Sequence, residues 1–139
     1  MKELSYLLTP FLAWLIAGIL KFLINSLKTR RFAFELIGYG GLPSNHAAIV
    51  SSIVVLIALK EGVNTPAFGA AIALAFIVIL DASSLRRQVG KHAMAINQLN
   101  SLTTNSSLLL RERMGHTRIE ILAGVITGSV VAYLIFCFS

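Results

Sequence analysis

Two histidines in this sequence stand beside groups that can put an imidazole to chemical use. His46 follows Gly40-Gly41-Leu42-Pro43-Ser44-Asn45 and leads into an almost wholly apolar run, Ala47 to Leu59. His116 opens Gly115-His116-Thr117-Arg118-Ile119-Glu120, four residues ahead of a carboxylate. On a helix that spacing puts His116 and Glu120 on one face, with Cβ atoms roughly 5–6 Å apart. A carboxylate that accepts a hydrogen bond from one ring nitrogen fixes the tautomer and leaves the other nitrogen free to attack or to take a proton. Taken alone, such a pair is more often an ordinary helix ion pair at an interface. Here a second histidine and several arginines are expected at the same face.

The glycine and proline residues before His46 give that histidine a setting. Gly38, Gly40 and Gly41 let the backbone approach a ligand closely. With Pro43 at the first helical position, Ser44, Asn45 and His46 would fill the first turn, where backbone N–H groups and the helix dipole favour an anion. The plainer reading is a punctuated loop closed by a serine cap.

The elements that must carry these groups are membrane helices. The chain has 139 residues, 56% of them hydrophobic and only 13% charged, with a mean hydropathy of +0.80. Its length implies one domain, residues 1–139, embedded in a bilayer. The net charge of +6 is not gathered into any nucleic-acid module, so no nucleic-acid partner is expected. The basic residues read as membrane-flanking groups and phosphate ligands. Cys137 is the single cysteine, so an intramolecular disulfide is excluded.

In order, Leu4 to Ile24 is long enough to span a hydrocarbon core of roughly 30 Å. The basic tip before it imitates a signal peptide, but the run is too long and shows no small-residue cleavage site. Lys28, Arg30 and Arg31 follow, then Phe32, Phe34 and Glu35, with the aromatics expected at headgroup level. A second helix, about Ser44 to Leu59, is short and carries Ser51 and Ser52, so it is expected inside the bundle. Residues 60–66 form a turn, and an Ala/Gly-rich helix, Ala67 to Leu80, ends at Asp81. From residue 82 apolar positions recur at three and four (Leu85, Val89, Ala93, Ile96, Leu99), an amphipathic helix for the interface or the bundle wall. Ser101 to Ser107 reads as a loop, Leu108 to Met114 as a short basic amphipathic segment, and Ile119 to Phe138 as a last span with a Gly124/Gly128 contact motif. The fold class is all-α, an integral membrane bundle of about four transmembrane helices plus an interfacial amphipathic helix. Positive charge collects in residues 28–45 and 82–118, which places that face in the cytoplasm and both termini opposite. Small-residue faces leave a homodimer open.

At this point the residues resemble a known family. Pro43-Ser44-Asn45-His46 looks like the PSGH motif of the type 2 phosphatidic acid phosphatases, which share their core site with vanadium haloperoxidases. His116-Thr117-Arg118-Ile119-Glu120 and the apolar turn to Gly124 resemble their HxxxD motif. Asp81-Ala82-Ser83-Ser84-Leu85-Arg86-Arg87-Gln88-Val89-Gly90 is similar to a signature of the small divergent PAP2 branch, and the likeness covers about residues 10 to 130. Asn45 stands where the glycine of the motif would be, Glu120 where the aspartate would be, and Leu110 where an arginine would precede the histidine. Lys21 and Lys28 match the family's first motif loosely. An alternative register uses Arg86 and His92, but then Ile96 falls at the acidic position.

The resemblance implies a phosphoryl transfer without metal or cofactor. His116 would attack phosphorus, Glu120 would support it, and His46 would protonate the leaving alkoxide. Arg86, Arg87, Ser44, Asn45 and Lys28 would hold the phosphate, with Asp81 in support. The implied substrate is a phosphorylated lipid such as a phosphatidate, a phosphatidylglycerophosphate or a polyprenyl phosphate. The competing function is a noncatalytic membrane scaffold whose arginines engage anionic phospholipid.

Overall fold

The computed structural model describes residues 4–29, 41–102 and 109–139. Lys2 and Glu3, Arg30 and Arg31, the aromatic loop with Phe32, Phe34 and Glu35, Gly38 and Gly40, and residues 103–108 lie outside the described residues. Among the described residues the α-helices are α1 Leu4–Thr29, α2 Asn45–Glu61, α3 Pro66–Leu80, α4 Arg86–Leu102 and α5 Arg118–Phe138. A π-helical turn, Asp81–Leu85, joins α3 to α4. Three stretches among the described residues are long and apolar enough to cross a membrane: Leu4–Lys28, the continuous Pro66–Leu102, and Arg118–Phe138. The fourth bundle helix, α2, has 17 residues and packs against α1, α3 and α5. The all-helical membrane bundle is therefore the observed architecture. The expected helix end at Asp81 is instead a continuation, because the wider π turn carries the rod past the polar residues.

Small residues hold this bundle together. On α1 the buried positions are Ser5, Thr9, Ala13, Ala17 and Lys21, one row at intervals of four, while Phe11, Trp14 and Leu15 face outward. Lipid is as apolar as leucine, so close backbone packing replaces hydrophobic burial as the driving force between spans. The tightest contact lies between α2 and α5. A Cβ on Gly124 would collide with the Ser44 carbonyl oxygen, and one on Gly128 with that of Ala48. Ser51 Oγ donates to the Val125 carbonyl at 3.3 Å. These contacts rise together along both chains, so α2 and α5 run parallel. At the other end of α2, Lys60 Nζ donates to Ser5 Oγ at 2.7 Å and sits 5.3 Å from the Tyr6 ring centre, so α1 and α2 run antiparallel. The N-termini of α2 and α5 thus meet the C-terminal end of α3 at one end of the bundle.

Residues 109–117, expected in part as an amphipathic segment, form an irregular strap before α5. Asn97, buried on α4, explains why it does not coil. Its Nδ2 donates to the Leu110 carbonyl at 2.8 Å and to Glu112 Oε1 at 2.9 Å, while its Oδ1 accepts from the Leu110 amide at 2.8 Å. A side chain that satisfies the strap's backbone on both counts removes the need for helical bonds. Gly90 lets the strap approach, since a Cβ there would strike the Glu112 carbonyl oxygen. The buried face of α4 is therefore Gly90, Ala93 and Asn97. Val89, Ile96 and Leu99 from the apolar stripe are exposed, where lipid can cover them.

Candidate active site

Ser44 sets the position of His46. Its hydroxyl accepts from the Ala47 amide at 3.4 Å as the N-cap of α2, and its own amide donates to the Glu120 carbonyl at 2.9 Å. Pro43 accordingly precedes the cap and is not the first helical residue. The serine oxygen ends the helix better than the proline begins it, because it satisfies an amide left open in the first turn. Ser44 is fully buried in this role. His46 lies in the first turn of α2, with Nε2 3.3 Å from an Arg86 amino nitrogen. Arg86 is held in turn by its Nε, which donates to Asp81 Oδ2 at 3.1 Å. An arginine can only donate, so Nε2 of His46 accepts and the ring proton sits on Nδ1. That nitrogen is buried without a partner among the described residues, as is Asn45 Oδ1.

His116 is placed by two bonds. Its amide donates to the Ala82 carbonyl in the π turn at 2.9 Å. The turn into that bond needs Gly115, whose φ of +88° lies in the region side chains avoid, and where an added Cβ would stand 2.8 Å from Arg87 Cγ. Nδ1 of His116 lies 3.2 Å from Glu120 Oε2. The pair meets although His116 stands outside the helix. Thr117 caps α5 and Glu120 folds back in a capping box, Oε2 accepting from the Thr117 amide at 2.9 Å while Thr117 Oγ1 accepts from the Glu120 amide at 3.2 Å. The predicted shared helix face is thus replaced by a cap. Burial holds the His116 pKa below the ordinary 6.5, with Lys21 and Arg86 adding to the effect and the Glu120 bond and charge opposing it.

The His46 and His116 rings lie 6.1 Å apart between centroids, tilted by 56°. Around them stand Arg86, Asp81 and Glu120. Lys21, on the buried row of α1, is close enough for its charge to act on Glu120, His46 and His116. Besides its loose match to the family's first motif, its advance signal is its place in that row as a cation within a span, where an ionisable group is expensive unless used. Arg87 does not join Arg86. It points into a cavity of about 380 Å³ with His116 at its wall. Lys28 is exposed in the last turn of α1, and among the described residues nothing ties it to the histidines. His92 is exposed on α4, so the structure gathers the register that uses His116. Among the described residues no three His, Cys, Asp or Glu side chains are grouped to hold a metal ion. Chemically, the site offers an imidazole oriented by Glu120 whose Nε2 has no partner among the described residues, a second imidazole beside it, and cations close to both.

A Bacillus subtilis (strain 168) protein described as the uncharacterized membrane protein YuiD is 27% identical over 148 residues, covering 95% of this chain and 94% of its own. No solved structure matches the chain. The sequence pattern of the divergent PAP2 family covers residues 3–131, which takes in every group around the two histidines, and the chain belongs to that family.

Proposed function

We propose that the protein hydrolyses a phosphomonoester at the headgroup of a membrane lipid through a phosphohistidine. The observation that carries this reading is the facing of two imidazoles 6.1 Å apart, one oriented by Glu120 and the other against Arg86. Nε2 of His116 attacks phosphorus, and the bond from phosphorus to the lipid oxygen breaks. His46 gives its proton to that oxygen, releasing a lipid alcohol. Water, deprotonated by His46, then cleaves the phosphorus–nitrogen bond and inorganic phosphate leaves. Charge spreading over the equatorial oxygens is met by Arg86 and Lys21. In the free site Arg86 rests on His46; a bound phosphate competes for the guanidinium and releases Nε2 to take up the proton it will donate. The lipid tail stays in the bilayer, the site opening at the polar end of the bundle on the cytoplasmic face.

Purified protein in detergent is expected to release phosphate from phosphatidate, phosphatidylglycerophosphate or a polyprenyl phosphate. His116→Ala and His46→Ala are each expected to abolish release while the protein keeps its helical circular dichroism. Release that survives both changes rejects the assignment. A noncatalytic phospholipid-binding scaffold is the second reading, favoured by Arg87, Lys91 and Arg118, which pair with no carboxylate among the described residues. It predicts lipid binding without turnover.

A further inference from the structure

His116 is not carried by a helix. It sits near the end of the irregular strap of residues 109–117, and such a segment has no ladder of its own to fix where its side chains stand. The hold must come from outside the strap. Next to the ring it is the Ala82 carbonyl, which accepts from the His116 amide at 2.9 Å. One backbone bond leaves the strap free to pivot.

The second fixed point is Asn97 on α4, which grips the amide and the carbonyl of Leu110 and the carboxylate of Glu112 at 2.8, 2.8 and 2.9 Å. Both of its amide protons and its oxygen are thereby engaged, and the residue is only 7% exposed. From Glu112 to His116 the path is short and stiff. The Met114 amide closes a tight turn onto the Glu112 carbonyl at 3.1 Å, the same carbonyl that leaves no room for a Cβ on Gly90. Gly115 then takes its φ of +88°. A shift at Glu112 is therefore passed on to His116. Ala82, Gly90 and Asn97 all belong to the continuous rod Pro66–Leu102 that also carries Arg86, so the strap registers the imidazole against the element that bears the guanidinium.

We infer that Asn97 is a positioning residue for the phosphoryl transfer: through Leu110 and Glu112 it holds the strap so that His116 is presented to the phosphate at Arg86. It touches neither substrate nor reacting atoms. The inference rests on the proposed role of His116 and adds to it the support that the nucleophile needs.

The test exchanges the partners of one bond. Asn97→Asp keeps an oxygen for the Leu110 amide but sets a carboxylate against Glu112 and against the Leu110 carbonyl. With the lipid that the wild type hydrolyses in detergent, kcat is expected to fall about 100-fold while KM stays within about threefold, since a misplacement of about 1 Å costs that much in rate. Glu112→Gln alone should lose little, because its amide oxygen still accepts from Asn97. Combined with Asn97→Asp it reverses donor and acceptor in the bond and keeps the wild-type net charge, so kcat should recover about tenfold over Asn97→Asp alone. Wild-type kcat in Asn97→Asp, a loss carried by KM, or a double variant no better than the single one overturns the inference.

If the wild type hydrolyses no lipid, the hydrolase reading fails by itself and the hold is judged by chemical labelling. Diethyl pyrocarbonate is then the probe, with the rate at each histidine read by mass spectrometry. His116, 8% exposed in its place, should react about tenfold faster in Asn97→Asp and slow again in the double variant, with His46 unchanged. An unaltered rate at His116 overturns the hold. So does an equal rise at His46, which marks a general loosening of the bundle.

Discussion

Glu120 Oε2 stands 3.2 Å from His116 Nδ1 and 2.9 Å from the Thr117 amide, so one oxygen both caps a helix and orients a ring. The two jobs separate by substitution. Glu120→Gln keeps a side chain that can close the capping box but removes the negative charge facing the imidazole. Its expected effect is a loss of kcat of about 100-fold or more, with little change in KM or thermal stability. Glu120→Ala is expected to lose the same activity and about 1 kcal/mol of stability besides. Steady-state kinetics and thermal melts in detergent check both.

The depressed pKa of His116 fixes the direction of the pH dependence. A nucleophilic imidazole must be neutral, so activity that depends on it should rise with pH through a value below 6.5 and hold above it. The unfolded chain takes up the proton first on acidification. Its contribution to stability is therefore present above 6.5 and is lost as pH falls from there through the folded-state value. His116→Gln is expected to flatten that part of a stability profile measured between pH 7.5 and 4.5. An acid limb for kcat/KM, which reports the free enzyme, centred above 6.5 would count against His116 as the nucleophile.

Two glycines that look alike in sequence should respond in opposite ways. Gly124→Ala forces a methyl group into the Ser44 carbonyl, and an overpacked contact of this kind costs about 1–3 kcal/mol. A Cβ on Gly18 in α1 meets nothing within 4 Å, so Gly18→Ala should leave stability unchanged or raise it. Thermal melts of the two variants beside wild type, in one detergent, decide the matter. Gly124→Ala should also lower activity, since the contact it breaks sets His46 against His116.

Sidedness is open to cysteine labelling in a Cys137→Ser background. The basic face predicts that a cysteine at Lys91, beside the cavity, reacts with an impermeant maleimide only after the membrane is opened. A cysteine at Asn64, in the turn at the other end of the bundle, should react in intact cells. The reverse pattern would put the site outside.

The sequence disclosed the candidate residues more readily than their geometry. The His116–Glu120 spacing was visible, but a helical face was inferred where a cap occurs, although Thr117 and Glu120 carry the capping-box signature in plain view. The glycine pair in α5 announced a close helix contact, and there is one, with α2. Lys21 matches a family motif only loosely, and the row from Ser5 to Lys21 that places it emerges only when α1 is read at intervals of four. The adjacent arginines could not be told apart: successive residues on a helix point about 100° apart, which sends Arg86 to His46 and Arg87 to the cavity. Asn97 gave no signal at all, since its partners lie on a strap whose path depends on the folded bundle.

The π turn at Asp81–Leu85 acts as a gear tooth in the rod from Pro66 to Leu102. If the same five residues closed as ordinary α-helix, with i→i+5 bonds giving way to i→i+4, everything downstream would swing by about 100°. The membrane bundle would keep its order of spans, yet the Arg86 guanidinium would rotate off His46 and the strap's anchor at Asn97 would turn with it. Tightening this one turn would thus disarm the site and leave the scaffold standing.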